Sequence, residues 1–122
     1  MLAYLLCDDL MWMSRVMAEA KDLGGKVIPA RTVEQLRKAI TANGPHCVII
    51  DLAQAEVGAD PTPIVETLKT AGIQRFVAYG SHIETAQLAS ARNAGCHPTL
   101  ARSKMAAELR TLLPEWMSDS PG

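Results

Sequence analysis

Three aspartates stand where strand-like runs end: Asp8-Asp9 after the apolar run 3–7, and Asp51 at the close of the run 47–51. If those runs are parallel strands, right-handed crossovers bring all three carboxylates out at one edge of a sheet. Should the first and third strands be neighbours, that edge is also the switch point where open α/β sheets place their ligands. Carboxylates gathered within a few ångströms repel and need a cation, a proton, or an Arg or Lys partner. Mg²⁺ is one answer, held by Asp8, Asp9 and Asp51, because a hard cation takes carboxylate oxygens and keeps several waters. Singly, each residue has an ordinary reading. Asp9 can cap the helix that follows it, and an Asp after a strand is common in turns. The joint placement is what points to a site.

The elements that must position these residues alternate between two periods. Strand-like runs occupy 3–7, 26–30, 47–51, 75–79 and 98–101, with helical spacing between them. Strands separated by helices read as successive βαβ units, hence a parallel sheet covered on both faces. The first helix puts Met13, Val16, Met17, Ala20 and Leu23 on one stripe and stops at Gly24-Gly25. The second opens with the capping box Thr32-Val33-Glu34-Gln35, buries Val33, Leu36, Ala39 and Ile40, and ends at Asn43-Gly44-Pro45. The third starts within Asp60-Pro61-Thr62-Pro63, turns Ile64, Val65 and Leu68 to the sheet, and closes at Ala71-Gly72. A second capping box, Ser81-His82-Ile83-Glu84, is expected to open the fourth, which ends at Asn93-Ala94-Gly95. The fifth starts at Ser103, buries Met105, Leu109 and Leu112, and is expected to stop before Pro114.

Composition bounds the class. The 122 residues suit one domain, residues 1–117, with 118–122 a short polar tail. A hydrophobic content of 48% with only 4% aromatics calls for a largely aliphatic core. A net charge of −1 with scattered Lys and Arg excludes the basic stripe that nucleic acid requires. Cys7, Cys47 and Cys96 are an odd, widely spaced set, read as reduced core thiols in a cytoplasmic protein. No apolar stretch is long enough to span a membrane. His46 and His97 precede strands and fall at the edge away from the aspartates, while His82 falls at the acidic edge as a loop residue. Trp12 is expected to be partly exposed beside that edge, and Trp116 to pack against its own domain.

The segment 5–16, with its acidic pair and following helix, resembles the opening of response-regulator receiver domains. Val48-Ile49-Ile50-Asp51-Leu52 resembles the family's third strand, with Asp51 at the phosphoacceptor position, and Ala94-Gly95-Cys96 resembles its Ala-Gly-Ala lead-in. The likeness spans about residues 2–113. It implies a flavodoxin-like (βα)5 fold with strand order 2-1-3-4-5 and a role in two-component signal transduction. It also exposes departures. The family's Ser/Thr at the end of strand four falls on Gly80, with Ser81 next, read here as a cap. The lysine after strand five falls on Arg102, the cis-proline on Ser103, and the aromatic switch position on Thr99. The Met-Pro and Gly of the loop after the phosphoacceptor are missing from residues 52–59.

Three functions follow from these residues. The first is a stand-alone pseudo-receiver that acts by protein–protein contact. Its Arg102, always charged and able to bridge carboxylates, would pair with Asp51 or Asp8 and hold the site without metal. The second is a working aspartyl-phosphate receiver: Asp51 attacks a phosphoryl donor such as a histidine kinase, with Mg²⁺ on Asp8 and Asp9 and Arg102 in the lysine's place. The third is a small anion- or nucleotide-binding module using Ser81, His82, Arg102 and Ser103 at the starts of helices four and five. No nucleophile–base constellation marks the chain as an enzyme. By analogy with receivers, a partner or second copy would use the helix 4–strand 5–helix 5 face, at Gln87, Ala91, Thr99 and Arg110.

Overall fold

The computed structural model describes residues 1–118; Asp119, Ser120, Pro121 and Gly122, most of the expected tail, lie outside the described residues. Ten elements alternate along the chain: β1 (Leu2–Leu6), α1 (Leu10–Asp22), β2 (Lys26–Ala30), α2 (Val33–Asn43), β3 (Cys47–Asp51), α3 (Thr62–Thr70), β4 (Phe76–Gly80), α4 (Thr85–Ala94), β5 (Cys96–Ala101) and α5 (Arg102–Met117). All strand pairs are parallel, in the order β2-β1-β3-β4-β5. The expected five-stranded doubly wound sheet is therefore the one observed. Pro29 and Pro98 lie in β2 and β5. Those are the outer strands, where one side has no ladder for a proline to interrupt.

Strand alternation divides the core into two layers. Tyr4, Leu6, Val48, Ile50 and Ala78 face α2, α3 and α4 through Leu36, Ile40, Val65, Leu68, Leu88 and Ala91. Ala3, Leu5, Ile49, Val77 and Tyr79 face α1 and α5 through Met13, Val16, Met105, Leu109, Leu113 and Trp116. Trp116 packs against its own domain, as expected, and is 1% exposed. Met17, placed on the buried stripe from its spacing, is instead 39% exposed.

The helix starts separate correct from incorrect readings. Thr32 caps α2 by accepting from the Gln35 amide at 3.1 Å, and the Gln35 side chain accepts from the Arg31 amide at 2.9 Å. The second expected capping box does not form. Residues 81–84 make a turn in which the Glu84 amide donates to the Ser81 carbonyl, and α4 begins only at Thr85, with no side-chain cap. The expected end of α5 before Pro114 is also corrected: the helix continues to Met117. Burial of Leu113, Trp116 and Met117 outweighs the hydrogen bond that the proline forgoes.

Candidate functional site

The carboxyl ends of β1, β3, β4 and β5 place the candidate residues along one edge. A cavity of about 260 Å³ opens there, lined by Asp51, Ala53, Gly80, Ser81, His82, Arg102 and Ser103. Ser81 is thus not a helix cap but part of the cavity wall, because α4 starts after it. Thr99 is not at the cavity: it is buried in β5, where its hydroxyl donates to the Cys96 carbonyl at 2.8 Å.

Each carboxylate has its own partners. Asp51, 2% exposed, accepts from the Ala53 amide through Oδ1 at 2.9 Å and from the Cys7 thiol through Oδ2 at 3.2 Å. Asp8 accepts from the Ala55 amide at 3.1 Å. Asp9 caps α1 through the Trp12 amide at 3.1 Å and pairs with Arg102 at 2.8 Å. The Trp12 amide, opposed by desolvation and aided by the Arg102 guanidinium, holds the Asp9 carboxyl below its usual range. One expectation is corrected here: Arg102 bridges to Asp9 and not to Asp51 or Asp8. Among the described residues, no group of three or more His, Cys, Asp or Glu is arranged to hold a metal ion.

Arg102 lies over two aromatic rings, 5.4 Å from the Trp12 centroid and 6.0 Å from that of Tyr79. Arg15 meets Trp12 at 5.3 Å, and the indole N–H donates to the Tyr79 hydroxyl at 2.8 Å. Trp12 is consequently 8% exposed, not the partly open residue expected from its position. Partial desolvation disfavours the Arg102 charge, but Asp51 and Asp9 outweigh it and raise its pKa. Burial, reinforced by the Asp51 charge, pushes the Tyr79 phenol far up.

Residues that sequence reasoning passed over hold this edge together. Cys7, read as a core filler, touches Asp51; the parallel register Leu5↔Ile49 and Leu6↔Ile50, carried one step further, sets it opposite. Gln54, 3% exposed, donates to the Arg31 carbonyl at 2.9 Å and accepts from the Glu56 amide at 2.8 Å. Gln87, assigned to an outer face, instead donates to the carbonyls of Leu52 at 2.8 Å and Gly58 at 2.7 Å, tying α4 to the loop after Asp51. No local pattern announces such loop-bridging glutamines; they emerge only once the loops meet.

Gly80 has a packing reason. A Cβ there would stand 3.1 Å from Leu52 Cδ1 and 3.2 Å from Leu52 Cβ. Gly80→Ser, which restores the hydroxyl of the resembled family, is expected to cost about 1–2 kcal/mol through overpacking. Urea denaturation checks this; unchanged stability would mean that Leu52 moves aside freely.

No family model and no curated protein matches the chain. Solved structures do. A response regulator from Thermotoga maritima superposes with a TM-score of 0.78 at 10% identity, covering 97% of this chain and 98% of that one. The receiver domain of NtrX from Brucella abortus gives 0.77 at 17%, covering 98% and 100%. The beryllofluoride-activated NtrC4 receiver domain dimer gives 0.73 at 13%, covering 94% and 98%. Strand order and helix placement agree with this likeness over nearly the whole chain: it has the fold of the response-regulator receiver domain.

Proposed function

We propose that this protein is a receiver-like signalling module that works through protein–protein contact, its acidic edge satisfied by the chain's own donors without phosphorelay. One observation carries the reading: the protein's own donors occupy both oxygens of Asp51, and Arg102 neutralises Asp9. Carboxylates satisfied in this way have less to gain from a cation. Binding one here would require displacing a guanidinium that also rests on Trp12 and Tyr79.

The contact surface argued by analogy needs revision. Ala91 and Thr99 are buried, Gln87 is committed to the loop, and Arg110 pairs with Glu19 and Asp22 of α1. The carboxyl edge offers more: Leu10 and Met11 at the start of α1 and Ile83 in the turn before α4 are 57%, 87% and 73% exposed. Apolar side chains beside paired charges suit a protein partner, and this edge is where the reading places it. Among the described residues no helix is long and apolar enough to cross a membrane.

Trp12 fluorescence tests the reading in a Trp116→Phe background, which leaves one indole of the two. Added Mg²⁺, with or without beryllofluoride, is expected to give no saturable change. Arg102→Ala is expected to acquire one, since losing a charge-assisted hydrogen bond of about 1.5 kcal/mol or more shifts the balance toward the cation by at least about tenfold. Saturable quenching in the parent that tightens with beryllofluoride and vanishes in Asp51→Asn would overturn the reading in favour of a phosphoacceptor Asp51. A response to anions alone would favour the anion-binding module.

A further inference from the structure

α5 is not one rod. Glu108 has φ −114° and ψ 17°, outside helical values, so a short piece, residues 102–107, joins a longer one, residues 109–117, at that residue. Pro114 is not the cause of this break, since a proline disturbs the turn before it, back to Arg110. The two pieces are anchored very differently. The longer buries Leu109, Leu113, Trp116 and Met117, whereas Met105 is the single fully buried side chain of the shorter. Beyond Met105 and the partly buried Ala106, what holds the shorter piece is polar and open to water. Arg102 reaches Asp9 at 2.8 Å, with the two side chains 38% and 42% exposed. Arg15 of α1 donates through Nη2 to the Ala106 carbonyl at 2.8 Å. A carbonyl just ahead of a helix break loses its aligned amide and takes a side-chain donor instead. Both guanidinium groups also flank the Trp12 ring, at 5.3 and 5.4 Å.

From this geometry we infer that residues 102–107 form a hinged segment that swings about Glu108 and is latched to α1 by Arg102 and Arg15. Closed, it seats Arg102 on Asp9 and puts Arg102 and Ser103 in the wall of the Asp51 cavity. Open, it removes that wall and frees Asp9 while the longer piece stays packed on the sheet. A segment with few buried apolar contacts opens locally at lower free energy than its well-anchored neighbour. The latches are exposed ionic and cation–aromatic contacts, so salt weakens them.

Native-state hydrogen exchange on the full chain tests the hinge. Amides of residues 105–107 are expected to exchange faster than those of 109–117. Arg15→Met and Arg102→Met, which keep aliphatic bulk beside Trp12, are expected to widen that gap about fivefold each, the scale of a lost partly exposed ion contact. Residues 109–117 should be unaffected. A single exchange rate across both pieces in every protein would overturn the proposal and make α5 one cooperative unit. If the variants fail to fold, raising salt from about 0.05 to 1 M on the unaltered chain decides the matter. A widening gap supports the hinge, and a constant one overturns it.

Discussion

Raising the pH above 9 is expected to cost this domain roughly 4 kcal/mol by pH 10 and about 7 by pH 11, from its three thiols alone. All three cysteines are free and buried. Burial, with the Asp51 charge adding to it, pushes Cys7 up to about 11; burial pushes Cys47 to about 12, against the pull of Arg75, and Cys96 to about 11, against that of Lys69. Each folded pKa lies above its unfolded value near 9. Between the two, the unfolded chain has already lost the proton that the folded chain keeps. The stability is therefore full below pH 9 and is lost as pH rises through the folded values. The loss is of the size of a small domain's whole stability, so unfolding between pH 10 and 11 is expected. Urea denaturation across pH 8 to 11 reads it out. Cys47→Ala should flatten the alkaline fall by about a third while costing stability at neutral pH; an unchanged slope would show that thiol ionisation is not the cause.

Trp12→Ala is expected to destabilise the domain by about 3–5 kcal/mol, or about 15 °C or more in Tm. The side chain fills part of the layer between α1 and the sheet, donates to Tyr79, and supports both Arg15 and Arg102. Trp12→Phe separates these parts. It keeps most of the ring surface but leaves Tyr79 without its donor, for an expected loss of about 1–2 kcal/mol. A Trp12→Ala loss below about 1 kcal/mol would mean that the aromatic cluster is peripheral to the fold.

The architecture was legible because it rests on periodicities. Apolar runs of strand length, helical stripes between them, and terminators such as Gly24-Gly25 and Asn43-Gly44-Pro45 are local signals, and each agrees with the element observed. Two boundary readings failed where tertiary contact overrode a local one. Pro114 should stop a helix, yet Trp116 and Met117 bury deeply beyond it. Ser81-His82-Ile83-Glu84 has the letters of a capping box, yet it forms a turn that leaves Ser81 at the cavity.

The site divides in the same way. That Asp8, Asp9 and Asp51 share an edge follows from parallel crossovers and strand length, both written in the order of the chain. Which donor each carboxylate meets depends on a few ångströms between loops distant in sequence. Asp51 is matched by Cys7, Asp9 by Arg102, and Asp8 by the Ala55 amide. Arg102 could reach more than one carboxylate, and the Trp12 and Tyr79 rings beneath its guanidinium accompany its choice of Asp9. The sequence by itself determined the layers, the strand count and the acidic edge, because hydrophobic period and chain direction are local properties. Only the tertiary structure decided how those charges are paired, because short-range hydrogen bonds and ion pairs depend on where separate segments come to rest.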